Sequence, residues 1–174
     1  MNSKDLKFIL APFGVAVGIS FFTLIYIFIT RKLGITNLHQ TLYFMPKYVL
    51  TMVGILSIIT FLPIFLLSVY FLGRRGAVGQ SPTLMTNGIY KYVRNPMYSG
   101  MSFTLFGLGV LFNKTAVVLT GITWLCLTYF QCKREEKELT KRFGAQYISY
   151  KNNTPLYMPK IDLMLKDFFE KDTK

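Results

Sequence analysis

Three long uncharged apolar runs decide most of what this chain can become. Residues 8–30 and 48–73 carry no charged side chain, and 97–132 is interrupted only by Lys114. A helix needs roughly 20 apolar residues to cross the ~30 Å hydrocarbon layer of a bilayer. Water cannot satisfy the backbone there, so such runs must become helices. At 52% hydrophobic and 16% charged residues, the chain is too apolar for an ordinary soluble domain. The expected fold class is all-α: a multi-pass integral membrane protein with about four transmembrane helices. They include a C-terminal helical hairpin, and a surface-lying C-terminal helix follows. The 174 residues read as one domain, with two transmembrane helices in 1–72. A connector, hairpin and helical extension occupy 73–160, and an amphipathic tail 161–174.

The first run ends in Thr30-Arg31-Lys32 and lacks a small-residue cleavage pattern, so it reads as a retained helix over 8–30. The second helix, 48–72, contains Pro63, which should kink it; membrane helices tolerate this where neighbours satisfy the freed carbonyl. Tyr43, Phe44 and Tyr48 read as interfacial aromatics. The polar connector that follows is long for an idle loop. Asn95-Pro96 then reads as a helix start, with Asn as N-cap and Pro at the first helical position. The third helix, 97–112, is only about 24 Å long, short of a full span. Gly100, Gly107 and Gly109 leave room for close helix approach. The fourth helix has no stop between Thr115 and Phe143-Gly144. At about 43 Å it is longer than the bilayer core, so its last third, 133–142, must protrude into water. Beyond it, 160–172 has the pattern of a short helix lying on the membrane.

Charge is uneven. No acidic residue occurs between Asp5 and Glu135, and the formal net charge is +12. No nucleic-acid motif accompanies this basicity, which reads instead as a positive cytoplasmic face against anionic lipid. Four crossings place both termini on one side with the connector's Arg74, Arg75, Lys91 and Arg94, and the positive-inside count makes that side cytoplasmic. Cys126 and Cys132, six apart on one helix, point apart and read as small apolar side chains. His39, alone in a loop, reads as solvated. Metal-ligand spacing, a P-loop and a catalytic triad are absent from the sequence.

The chemistry-bearing residues flank the hairpin. Arg94, Glu135 and Glu136 are charges near a bilayer, where charge is costly unless paired or functional. A carboxylate would meet a cationic centre, amides at the helix start would meet a ligand carboxylate, and Tyr90 or Tyr98 could stack on a base or contact an onium group. S-adenosylmethionine has all three features. The same residues also allow plainer readings. Asn95-Pro96 can serve only as a cap, Glu135 and Glu138 can pair with lysines at helical spacing, and Tyr90, Tyr92 and Tyr98 can be interfacial.

Two motifs stand at either end of the hairpin: Gly88-x-Tyr90-x-x-x-Arg94-Asn95-Pro96-x-Tyr98-x-Gly100, and Glu135-Glu136-x-x-Leu139-x-x-x-Phe143-Gly144-x-x-Tyr147-x-x-Tyr150. Together they resemble the isoprenylcysteine carboxyl methyltransferase family, and the paired glutamates resemble the related phospholipid methyltransferases. The resemblance covers roughly 73–160. It implies a cofactor site for S-adenosylmethionine on Pro82, Thr83, Leu84, Met85, Tyr90, Asn95, Pro96, Met97, Tyr98 and Glu135. It also implies a lipophilic small-molecule or lipid substrate entering from the bilayer at the cytosolic face of the cell membrane. Two positions depart from the family. Asn95 stands where His is usual, and Gln131 stands where the prenylcysteine enzymes have an Arg, which favours another acceptor. For an acceptor needing deprotonation, Glu136 or Tyr147 is the candidate base; Arg134 is the candidate to orient an anionic acceptor. The alternatives are an NADPH-dependent reductase of the sterol reductase type, which carries a similar Arg-His-Pro-x-Tyr element, and a non-enzymatic membrane subunit. The paired carboxylates would repel the phosphates of NADPH.

Overall fold

In the computed structural model, residues 3–75 and 83–171 are described, with side chains over 15–71 and 83–169. The elements are helices α1 (Ser3–Lys32), α2 (Leu38–Thr41), α3 (Lys47–Arg75), α4 (Pro96–Leu111), α5 (Thr115–Phe143), α6 (Ala145–Asn153) and α7 (Ile161–Lys171), with a 3-10 turn at Gly88–Lys91 before α4. Three of these helices are long and apolar enough to cross a membrane: α1 over Val15–Lys32, α3 over Lys47–Phe71, and α5. The chain is a multi-pass membrane protein. α4 falls short of the fourth expected crossing, because 16 residues reach only about 24 Å. It pairs with α5 as the short arm of the expected hairpin.

The chain divides into two compact units. The first comprises 1–62 and 101–127. Its buried cluster is Leu38, Leu50, Val110 and Val118, with Leu42, Met45 and Phe106 packed against it. Glycines set the helix spacing, as their positions led one to expect. A Cβ on Gly107 would lie 3.0 Å from the Gly54 carbonyl oxygen, and one on Gly109 would lie 2.5 Å from the Val118 nitrogen. Polar side chains bridge helices within the apolar body: Thr23 to Thr120 at 3.1 Å, the Tyr26 hydroxyl to Thr123 at 2.6 Å, and Ser57 donating to the Phe103 carbonyl at 2.8 Å. Such bonds hold membrane helices together where no hydrophobic effect acts between them. Leu24, Phe28, Met52, Leu56 and Ile59 are exposed, as a lipid-facing surface requires. The loop expected around His39 contains α2. The His39 backbone N–H donates to Asn113 Oδ1 at 2.6 Å, and Asn113 itself takes positive φ (56°) in the α4–α5 turn. Asn tolerates that conformation better than most residues.

The second unit comprises 63–100 and 128–174. It holds the end of α3, the connector, the first turn of α4, the extension of α5, and α6 and α7. Here Gly100 packs on α3 so closely that a Cβ would lie 2.7 Å from the Phe65 nitrogen. Gly144 ends α5 with φ 54° and starts α6 at once. α6 was not expected from the sequence: 145–153 has a weak apolar pattern, and its helix is tied in place by tertiary contacts of Tyr147 and Tyr150. α7 falls within one residue of the expected 160–172. No disulfide joins the cysteines; Cys126 is exposed and Cys132 is buried.

Candidate active site

The site lies wholly within the second unit and begins with the connector. Gly88 has φ 63°, and a Cβ there would also meet the Phe71 ring at 2.9 Å. That glycine turns the chain into the 3-10 turn and delivers Tyr90, which is buried. The Tyr150 hydroxyl on α6 donates to the Tyr90 carbonyl at 2.8 Å and holds the turn from the far side. Segment 155–160 runs beside 92–95. Arg94 and Asn95 N–H groups donate to the Pro155 and Leu156 carbonyls at 2.9 and 3.2 Å, and Lys160 N–H returns a bond to the Tyr92 carbonyl at 3.1 Å. The Asn95 carbonyl accepts from Ser99 N–H at 3.1 Å, so Asn95 opens α4 as the expected cap.

The extension of α5 supplies the opposite wall. At 100° per residue, Cys132, Glu135, Glu136, Leu139 and Phe143 fall on one face of about 100°, and all five line the cleft. Arg142 joins them at the edge. Arg134, Lys137 and Lys141 lie on the other side of the helix, exposed.

The two glutamates are held differently. Glu135 is half-buried and accepts neutral donors on Oε1: the Tyr98 hydroxyl at 2.8 Å and Gln131 Nε2 at 3.1 Å. Glu136 is buried and sits among cations. Arg94 Nη1 lies 2.5 Å from its Oε1, and Lys151 and Lys133 lie 2.8 and 3.4 Å from its Oε2. Arg94 is itself only 10% exposed, and its Nε has no hydrogen-bond partner among the described residues. Burial, with Glu135 adding to it, pushes the Tyr90 phenol up to about 12. Burial and then the Glu136 charge raise Tyr147, and burial raises Tyr150. These phenols keep their protons at neutral pH and can donate hydrogen bonds or stack.

Between the walls lies a void of about 590 Å³, including its solvent-open part. It is lined by Thr83, Leu84, Met85, Tyr90, Asn95 and Glu135 of the expected cofactor set, and by Glu136 and Tyr147 of the expected catalytic set. Four expected residues are placed elsewhere. Pro96 is buried under the helix start; Met97 is half-buried and does not line the void. Tyr98 reaches the cleft only through its bond to Glu135. Arg134 is exposed on the opposite side of α5, as the helical wheel places it, and does not line the void. Pro82 lies outside the described residues. Conversely, Cys132, Leu139, Arg142, Phe143 and Tyr150 line the void without having been expected to, and Arg94, expected only as a charge flanking the hairpin, lines it too. The signal for four of them was present: counting three, four and seven residues along the helix from Glu135 and Glu136 reaches Cys132, Leu139, Arg142 and Phe143.

Fold and site together define a polytopic membrane protein with an open cleft, lined by charged, aromatic and aliphatic side chains, built on helix ends. Residues 49–146 match the family model for phospholipid methyltransferases, and the chain belongs to that family. It is also similar to curated proteins named protein-S-isoprenylcysteine O-methyltransferase. That of Xenopus laevis is 35% identical over 83 residues, covering 47% of this chain and 28% of its own length. That of Homo sapiens is 32% identical over 90 residues, covering 47% and 31%. That of Dictyostelium discoideum is 32% identical over 81 residues, covering 45% and 33%. The match thus spans about a third of the length of these relatives. Of the two enzyme families that the motifs resemble, the comparisons support the methyltransferases.

Proposed function

We propose that this chain transfers a methyl group from S-adenosylmethionine to a lipophilic acceptor at the cytosolic face of the cell membrane. The observation that carries this reading is the gathering of Thr83–Met85, Tyr90, Asn95 and Glu135 around one cleft, in a chain of a methyltransferase family. Several features favour the cofactor's fit. The half-buried Glu135 carboxylate suits ribose hydroxyls or a positive sulfonium. Arg94 Nε is a buried donor left over for an acceptor atom. The Tyr90, Tyr147 and Tyr150 rings offer stacking surfaces. When bound, the cofactor supplies an electrophilic methyl carbon. The protein's part is alignment of the two reactants and exclusion of water.

The cleft also bears on the acceptor. Glu136, neutralised by three cations, is a poor proton acceptor, and we assign it the task of holding Arg94 in place of general-base catalysis. Tyr147 keeps its own proton. With neither candidate base suited, the cleft favours an acceptor that arrives already nucleophilic. A carboxylate meets that requirement; an alkylammonium must first lose a proton. Gln131 is occupied with Glu135, and Arg142 on the cleft wall is the cation we assign to face a carboxylate, in the role earlier expected of Arg134.

Calorimetry of the purified protein with S-adenosylhomocysteine should show binding, and Glu135→Ala should weaken it by about tenfold or more. Absence of binding, or an unchanged Glu135→Ala variant, overturns the reading. A labelled-methyl screen should favour lipophilic carboxylic acids over amines. The reverse preference would overturn the acceptor assignment alone.

A further inference from the structure

α7 carries one face that docks and another that nothing among the described residues covers. Ile161, Leu165, Phe168 and Phe169 are 52%, 52%, 64% and 64% exposed. At 100° per residue these four fall within about 100° of arc, so they form one outward apolar stripe. Asp167 lies about 150° from the centre of that stripe, beside the half-buried Leu163 and Met164. It accepts from Lys91 Nζ at 2.5 Å and from the Tyr92 hydroxyl at 2.6 Å. The helix is therefore held by its Asp167 face and presents aromatic and aliphatic side chains outward.

The rest of the chain identifies the occupant of that stripe. Three other helices are long and apolar enough to cross a membrane, so a bilayer is always adjacent. An 11-residue helix is about 16 Å long and cannot span it. Aromatic and aliphatic side chains on one face, with the exposed Asp162 and Lys166 along one edge of it, are the composition of a helix lying in the interfacial plane.

The docked face leads to the cleft. Lys91 ends the 3-10 turn that carries Tyr90, Tyr92 follows it, and Lys160 at the head of α7 donates its N–H to the Tyr92 carbonyl. We propose that α7 lies in the bilayer interface by its Ile161–Phe169 stripe, and that Asp167 latches this lipid-held helix to the Tyr90 turn, so that membrane contact positions one wall of the cleft. Asp167 is a positioning residue and does not touch the ligand. Only the effect on ligand affinity rests on the function proposed above.

The test uses the full chain in phosphatidylcholine nanodiscs. Phe168→Trp is placed in a Trp124→Phe background, since Trp124 is the sole tryptophan. Emission from the indole introduced on α7 should be blue-shifted and quenched by lipid brominated near the headgroup end of the acyl chains. Strong quenching by aqueous iodide, or a blue shift insensitive to bromolipid as a covering protein copy would give, overturns the lipid assignment. Amide exchange of residues 88–95 tests the latch. Asp167→Asn should speed it several-fold, and Asp167→Glu should restore much of the protection. Phe168→Ser with Phe169→Ser should speed it as Asp167→Asn does. Unchanged rates in Asp167→Asn, or a rise spread equally over α5, overturn the latch; an unchanged serine variant overturns its dependence on lipid. S-adenosylhomocysteine should bind several-fold more weakly to Asp167→Asn. If the parent protein binds none, the methyltransferase reading falls, while the quenching and exchange results still decide this inference.

Discussion

The two adjacent glutamates show how much a single residue's surroundings decide. Glu136 is buried against Arg94, and removing one member of such a pair leaves an uncompensated charge, at a cost of about 3–5 kcal/mol. Glu136→Gln should therefore lower the melting temperature in detergent markedly. Glu135→Gln, whose partners Tyr98 and Gln131 are neutral, should lower it far less. Equal losses would contradict the hub assigned to Glu136. Asp167 offers a pH test. Its hydrogen bonds from Lys91 and then Tyr92 lower its pKa below the usual aspartate value. A group whose folded pKa is depressed adds stability above the unfolded value of about 3.9 and loses it as pH falls through the folded one. Exchange protection of 88–95 should hold down to about pH 4 and fall below it. Asp167→Asn should remove that dependence. None of these partnerships can be read from sequence, because Glu135 and Glu136 are neighbours with the same intrinsic chemistry; only the side chains facing each distinguish them.

At the scale of elements, periodicity and glycine placement carried far. The bounds of α5 follow from an uninterrupted pattern ended by Gly144, and α4 begins at the Asn95-Pro96 signal. Gly100 was legible as a close-approach residue, and the contact explains why: a Cβ would lie 2.7–2.8 Å from the Phe65 backbone and Cβ. Gly100→Ala should destabilise the protein by about 1–3 kcal/mol through overpacking, measurable as a lowered melting temperature. An unchanged value would mean that α3 and α4 can part without cost. The helical wheel of α5 makes the complementary prediction: Arg134→Ala should leave S-adenosylhomocysteine affinity unchanged, because that side chain leaves the helix on the face away from the cleft. α6 and α2 escaped sequence reading for one reason. Both are short, and short helices owe their stability to packing more than to propensity.

For the whole molecule, three apolar helices of membrane-crossing length predict that alkaline carbonate will leave the protein in the membrane fraction and that only detergent will release it. Recovery in the carbonate supernatant would contradict the multi-pass reading. The net charge of +12 further predicts that vesicles containing anionic lipid will retain detergent-dispersed protein better than neutral ones, an advantage that should shrink as salt screens it.

By itself, the sequence determined that this is a helical membrane protein, where its long helices run, and which two motifs flank its hairpin. Those properties depend on local composition and on the energetic demand that lipid makes of every backbone amide. Only the tertiary structure decided that Arg94 is bound to Glu136, and that Asp167 of α7 meets Lys91 and Tyr92 beside the Tyr90 turn. These depend on which side chains distant in sequence meet across space, and no one-dimensional pattern encodes the direction in which a charge finds its partner.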